Sequence, residues 1–142
     1  MREYISSSVT ETENIAKKFA KELKSGDVIA YKGNLGAGKT AFTRGLAEGL
    51  ELDCEVSSPT FALVHEYRGK DITLYHFDMY RINDFNDLYS TGYFDYLDLN
   101  QILAIEWSEN IEGILEENTI FVDIQTIDEN TRKINIFGGN RF

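Results

Sequence analysis

The chain has 142 residues, 42% of them hydrophobic and 13% aromatic, which excludes a disordered chain and allows one domain, residues 1–142, to bury its own core. One cysteine, Cys54, and two histidines, His65 and His76, exclude a disulfide framework and a Cys/His zinc cluster, and a reducing compartment fits. The formal net charge of -10 opposes unaided binding to a phosphate backbone, so nucleic acid would be reached only through a basic partner.

Met1 to Glu13 lacks an apolar signal core and no apolar run approaches a bilayer span, so a cytoplasmic protein without a membrane contact is expected. Thr10-Glu11-Thr12-Glu13 has the form of a capping box. Ile15, Ala16, Phe19, Ala20 and Leu23 follow at helical spacing and predict an amphipathic helix ending near Gly26. Val28 to Tyr31 predicts a short buried strand, and a second helix is expected from Lys39 to Leu50. Ala62 to Tyr67 and Ile72 to Phe77 predict a hairpin turning at Arg68-Gly69-Lys70-Asp71. Asp84 to Leu99 predicts short helical turns, Gln101 to Ile105 a strand ending on Glu106, and Ser108 to Leu115 a weaker helix. Thr119 to Ile127 and Arg132 to Phe137 predict a closing strand pair about Asp128-Glu129-Asn130.

Between the first strand and the second helix stands Gly33-Asn34-Leu35-Gly36-Ala37-Gly38-Lys39-Thr40, which satisfies G-x-x-x-x-G-K-[ST] at every fixed position and in the strand-to-helix context its mechanism needs. Glycines 33, 36 and 38 allow backbone conformations closed to other residues, so successive N–H groups can converge on phosphate oxygens at a helix N-terminus. Lys39 supplies a point charge for the β and γ phosphates, and the Thr40 hydroxyl is placed to ligate Mg²⁺. The expected nucleotide-binding set is Gly33, Leu35, Gly36, Ala37, Gly38, Lys39, Thr40 and Ala41, with ATP and Mg²⁺ as the ligands. The expected architecture is α/β, a P-loop NTPase three-layer sandwich with a mostly parallel central sheet and antiparallel hairpin additions.

Hydrolysis also needs a carboxylate near the metal and a group that orients water. Asp78 and Glu106 each end a predicted strand, where an open α/β sheet places its ligand crevice, and either suits Mg²⁺ directly or through water. The plainer reading of Asp78 is a turn aspartate, and of Glu106 a surface glutamate. Glu106 follows Ile102-Leu103-Ala104-Ile105 and precedes Trp107, so partial desolvation would raise its pKa toward that of a general base. Ser58-Pro59-Thr60-Phe61 occupies the position of a switch segment that senses the γ-phosphate, with Thr60 facing metal or water, although alone it reads as an ordinary turn. For His76 a packed or hydrogen-bonded strand histidine is favoured over a catalytic part.

With these residues placed, the sequence resembles the TsaE (YjeE) family, small P-loop ATPases required to make threonylcarbamoyladenosine in tRNA. The resemblance runs through Gly33 to Thr40, Ser58-Pro59-Thr60-Phe61, His76-Phe77-Asp78-Met79-Tyr80-Arg81 and Ile105-Glu106-Trp107, in the family's order. It implies that Lys39, Thr60, Asp78 and Glu106 serve catalysis, that Thr40, Glu106 and Asp78 serve the metal, and that Trp107 and Arg132 lie beside the nucleotide. Arg132 reads equally as a solvated edge charge, and Asn34 stands where the family usually has Asp. The resemblance also implies TsaD and TsaB as partners, TsaD performing the carbamoyl transfer, with slow ATP hydrolysis resetting that complex, while the charge of -10 predicts no tRNA binding by the lone chain.

Two other functions compete. A small-molecule kinase would use the same loop, but between Arg44 and Arg81 the only arginine is Arg68 and no insertion is long enough for a lid. A nucleotide-controlled binding module would use ATP and ADP states to change the surface around Thr60.

Overall fold

A computed structural model describes residues 1–33, 38–52, 56 and 63–142. Among these, the chain runs β1 (Arg2–Ser6), α1 (Val9–Ala20), β2 (Val28–Gly33), α2 (Lys39–Gly49), β3 (Val64–Arg68), β4 (Thr73–Asp78), α3 (Phe85–Ser90), α4 (Tyr93–Asp98), β5 (Ile102–Glu106), a 3₁₀ segment (Ser108–Ile114), β6 (Ile120–Thr126) and β7 (Arg132–Gly138). The strands form one sheet in the order β1-β7-β6-β2-β5-β4-β3. The four central strands β6, β2, β5 and β4 are parallel to one another, while β1, β7 and β3 pair antiparallel at the flanks. This is the expected mixed architecture, a parallel centre with hairpin additions.

Alternation along the strands divides the interior into two layers. Ile29 and Tyr31 of β2, Leu74 of β4, Ile102 and Ala104 of β5, and Val122 and Ile124 of β6 pack on the side of α1 and α2, against Ala16, Phe19, Phe42 and Leu46. Val28, Tyr75, Phe77, Leu103 and Ile105 point the other way and pack against Leu88 of α3, Tyr93 of α4 and Ile111 of the 3₁₀ segment. A strand buried on both faces reads as a continuous apolar run, and β5 does so from Ile102 to Ile105.

The first layer is built on close approach of two helices. A Cβ on Gly49 would stand 2.5 Å from the Lys17 carbonyl and 2.6 Å from the Ala20 Cβ, and one on Gly45 would overlap the Glu13 carbonyl. With hydrogen at these two positions, α2 lies directly on the backbone of α1. Lys17–Glu48 and Arg44–Glu13, both at 3.1 Å, tie the exposed rim of the same contact.

Four local readings need correction. The capping box lies two residues earlier than Thr10 and Glu13: Ser8 is extended, its hydroxyl accepts from Glu11 N at 3.0 Å, and the Glu11 carboxylate accepts from Ser7 N at 3.1 Å. The helix stops at Ala20 and not near Gly26, because the Asp27 carboxylate accepts from Lys24 N at 2.7 Å and Gly26 N donates to Gln101 O at 3.0 Å, turning the chain into β2. The strand β1 was not expected at all; its order comes from pairing with β7, Tyr4 opposite Ile134. The hairpin's described strands sit one or two residues beyond the predicted 62–67 and 72–77, with Arg68 opposite Thr73.

Candidate functional site

The carboxyl ends of β2, β5 and β4 form one edge, and the start of α2 lies over it. At the end of β2, Gly33 has φ 118°, and a Cβ there would overlap the carbonyl of Ile124, its register partner on β6. Only glycine fits so near a neighbouring backbone. Gly38 is the left-handed N-cap of α2, with φ 107° and no side-chain cap. Phe42 N makes the first helical bond back to Gly38 O at 2.9 Å, so the N–H groups of Lys39, Thr40 and Ala41 have no acceptor within the helix. Unsatisfied donors and the positive end of the helix dipole together attract an anion.

This first turn is fixed from below. The Thr43 hydroxyl donates to Lys39 O at 2.8 Å and shares a 2.7 Å hydrogen bond with the Tyr31 hydroxyl, both hydroxyl-bearing residues being fully buried. Burial pushes the Tyr31 phenol far above its ordinary value, and the nearby Glu106 charge adds to that, so it stays a neutral hydroxyl. Lys39 and Thr40 are half-buried, and the Lys39 ammonium stands 5.9 Å from the Trp107 ring centroid.

Asp78 and Glu106 are register partners at the ends of β4 and β5. They share parity with Leu74 and with Ile102 and Ala104, which places both carboxylates on the face that α1 and α2 cover. The Glu106 side chain is 13% exposed, and its Oε2 lies 2.5 Å from Nε2 of His76, a fully buried residue of β4. Asp78 Oδ1 accepts from Tyr80 N at 2.9 Å, the turn role that the plainer reading gave it. Its carboxyl lies above the ordinary value, first because of desolvation and then because of the Glu106 charge, while the Tyr80 N–H pulls it back.

The chain leaves β5 through Trp107 in the left-handed region, φ 59° and ψ 39°, a conformation uncommon outside glycine. Its ring meets the Tyr80 ring edge-on at 4.8 Å. Ser108 Oγ donates to Tyr31 O at 2.9 Å and Asn110 Nδ2 to Met79 O at 2.8 Å, so the exit of β5 is bonded to β2 and to the turn after β4. Sequence reasoning passed over Tyr31, Ser108 and Asn110; the signal available was Ser108 and Asn110 directly after the Glu106-Trp107 motif.

Of the expected site residues, the structure gathers Gly33, Gly38, Lys39, Thr40, Ala41, Asp78, Glu106 and Trp107 around this edge. Leu35, Gly36, Ala37 and Thr60, with Asn34 and the rest of Ser58 to Phe61, lie outside the described residues. Arg132 begins β7 beyond the same sheet edge, and its guanidinium donates to the carbonyls of Asp128, Glu129 and Thr131 in its own turn. A cleft of about 520 Å³ opens at the opposite end of β2. Its lining includes Asp27, Asp98 and Glu116 and no Lys or Arg, a surface that repels phosphate. No helix among the described residues is long and apolar enough to cross a membrane.

The donor set fits a nucleotide with its cation. A helix start whose first N–H groups have no acceptor within the helix, one lysine, one hydroxyl and two carboxylates on neighbouring strands supplies positive charge for phosphate and hard oxygens for Mg²⁺, which takes one or two carboxylates and keeps several waters.

The model of the family described as "Threonylcarbamoyl adenosine biosynthesis protein TsaE" matches residues 6–134. Proteins named tRNA threonylcarbamoyladenosine biosynthesis protein TsaE are similar along most of their length. The one from Rickettsia typhi is 40% identical over 130 residues, 91% of this chain and 90% of the relative. The one from Aquifex aeolicus is 37% identical over 139 residues, 96% of each. The crystal structure of Bacillus subtilis YdiB superposes with a TM-score of 0.82 at 34% identity, covering 99% of this chain and 88% of that one.

Proposed function

We propose that this chain, which belongs to the TsaE family, is a single-domain MgATP-binding protein that hydrolyses ATP slowly in the service of threonylcarbamoyladenosine formation on tRNA. The observation that carries the reading is the uncapped start of α2, with Lys39 and Thr40, set over an edge where Asp78 and Glu106 are register partners.

In this reading the N–H groups of the first turn and Lys39 hold the β and γ phosphates, and Thr40 with Asp78 or Glu106 holds Mg²⁺. When bound, Mg²⁺ supplies neutralising charge at the β and γ phosphate oxygens. Glu106 uses Oε2 for His76, which leaves Oε1 to orient the attacking water. The water oxygen bonds to the γ phosphorus and gives up a proton to the released phosphate or to solvent, the bond to the β,γ-bridging oxygen breaks with its electron pair going to ADP, and ADP and phosphate leave. Leu35, Gly36, Ala37 and Thr60 complete the loop and the switch, and Trp107 and Arg132 flank the nucleotide. The partners are TsaD and TsaB, the compartment is the cytoplasm, and tRNA is reached through those partners and not by this acidic chain alone.

The test is a titration of MgATP against the emission of Trp107, the single tryptophan, which packs beside Lys39. Lys39→Ala should weaken affinity by about 100-fold or abolish the signal, since it removes the one side-chain charge placed for the phosphates. Wild-type affinity in that variant would show that the start of α2 is not the site. Phosphate release measured with and without TsaD and TsaB then reports turnover, and transfer to an added acceptor would favour a kinase.

A further inference from the structure

We propose that His76 is a positioning residue for Glu106: its imidazole fixes one carboxylate oxygen, so that the other faces the nucleotide edge in a single orientation. The inference rests on the reading of Glu106 as the hydrolytic carboxylate.

The arrangement follows from the strand register. His76 lies opposite Ala104 in the parallel pairing of β4 with β5, and Glu106 is two residues further along the same face. Alanine at position 104 leaves room for the ring to lean diagonally along β5, which brings Nε2 to 2.5 Å from Glu106 Oε2. Asp78 is the direct register partner of Glu106, yet it is bonded to Tyr80 N instead. The grip on Glu106 therefore comes from the histidine and not from the facing carboxylate.

In this assignment the Glu106 carboxylate only accepts, and Nε2 is the donor of the pair. His76 is fully buried and Nδ1 finds no partner among the described residues, so among these the hydrogen bond to Glu106 is the one that the imidazole makes. The ring is held in turn by Tyr67, whose ring centroid lies 6.0 Å away at 44°. A glutamate on solvent would sample many rotamers. Held by a rigid, dry ring, it meets the site already oriented, the property that makes catalytic hydrogen-bonding groups effective.

The experiment combines kinetics with an observation on the nucleotide-free protein. His76→Leu keeps an apolar side chain of similar size and removes the donor, and His76→Gln returns an N–H near the position of Nε2. His76→Leu should lower kcat by about 10- to 100-fold while the Kd for MgATP, read from Trp107 emission, changes less than about threefold. His76→Gln should recover most of the turnover. In protein labelled with ¹⁵N-histidine, which carries only two imidazoles, the long-range proton–nitrogen spectrum without nucleotide should show His76 protonated at Nε2, with a strongly downfield proton that is lost in Glu106→Gln. A folded His76→Leu with wild-type kcat overturns the assignment. So does an unprotonated Nε2, or a spectrum indifferent to Glu106→Gln, whether or not the leucine variant folds. Wild-type turnover in Glu106→Gln would instead overturn the reading of Glu106 itself, and since the imidazole proton does not depend on turnover, the two failures are told apart.

Discussion

Strands β4 and β5 run side by side and deliver Asp78 and Glu106 to the same level of the sheet edge, but the two ends are built differently. Beyond Glu106 the backbone turns through a left-handed Trp107 and is bonded to β2 by Ser108 and to the turn after β4 by Asn110. Beyond Asp78 the chain curls so that the carboxylate satisfies the N–H of Tyr80. One carboxylate is gripped from outside by a buried ring and the other is occupied by its own turn. Equal register therefore does not mean equal role: the partner of each carboxylate decides how much of it remains for chemistry.

The largest expected difference lies in turnover. Glu106→Gln should reduce phosphate release at saturating MgATP by about 100- to 1000-fold with nucleotide affinity nearly unchanged, because an orienting group matters most where charge moves. Asp78→Asn should cost about tenfold, since the amide oxygen can still accept from Tyr80 N. A larger fall for Asp78→Asn would invert the comparison and assign the hydrolytic role to β4.

Asp78 should also differ in how it shapes stability. Its folded-state pKa is raised, mainly by desolvation, so the folded protein holds a proton that the unfolded chain releases as pH climbs above the ordinary value of 3.8. The sign is then fixed: this group favours the folded state in acid and loses that contribution as pH rises through its folded pKa. Asp78→Asn does not titrate and keeps the turn, so its Tm should exceed that of the wild type by about 1–2 °C at pH 7, with the advantage vanishing toward pH 3. Parallel Tm curves for the two proteins across that range would show that Asp78 is not desolvated.

A smaller effect separates the two anchors of the β5 exit. Ser108→Ala removes a buried hydrogen bond to Tyr31 O and should cost about 1 kcal/mol in urea unfolding, with a change in Trp107 emission. Asn110→Ala, whose residue is exposed, should cost about half as much. The reverse order would mean that β5 is anchored to β4 more firmly than to β2.

Much of this edge was legible in the sequence because its signals are local. Gly33 to Thr40 spells its motif in eight consecutive residues, and Asp78 and Glu106 stand out by ending apolar runs. The second helix begins at Lys39 as expected, since the glycine motif sets its start. What escaped depends on distant neighbours. His76 reads as an ordinary strand histidine until β4 pairs with β5 and Ala104 makes room for it. Ser108 gains its role from a carbonyl 77 residues away, and β1 has no alternating apolar pattern because its partner β7 supplies the order. The capping box was misplaced because Thr10 and Glu13 satisfy the same pattern as Ser8 and Glu11, and only the extended backbone at Ser8 decides between them.

The glycine-on-backbone contact between α1 and α2 has a consequence in time. A long side chain between two helices can change rotamer and let them slide, whereas Gly45 against the Glu13 carbonyl offers nothing to rotate. The two helices should therefore open as one unit, and only when the layer beneath them, with Phe42 and Leu46 at zero exposure, comes apart. The six-residue helices α3 and α4 have no such lock and can fray alone. In deuterated water, the amides of α2 from Phe42 onward should exchange only through global unfolding, and those of α3 and α4 orders of magnitude sooner.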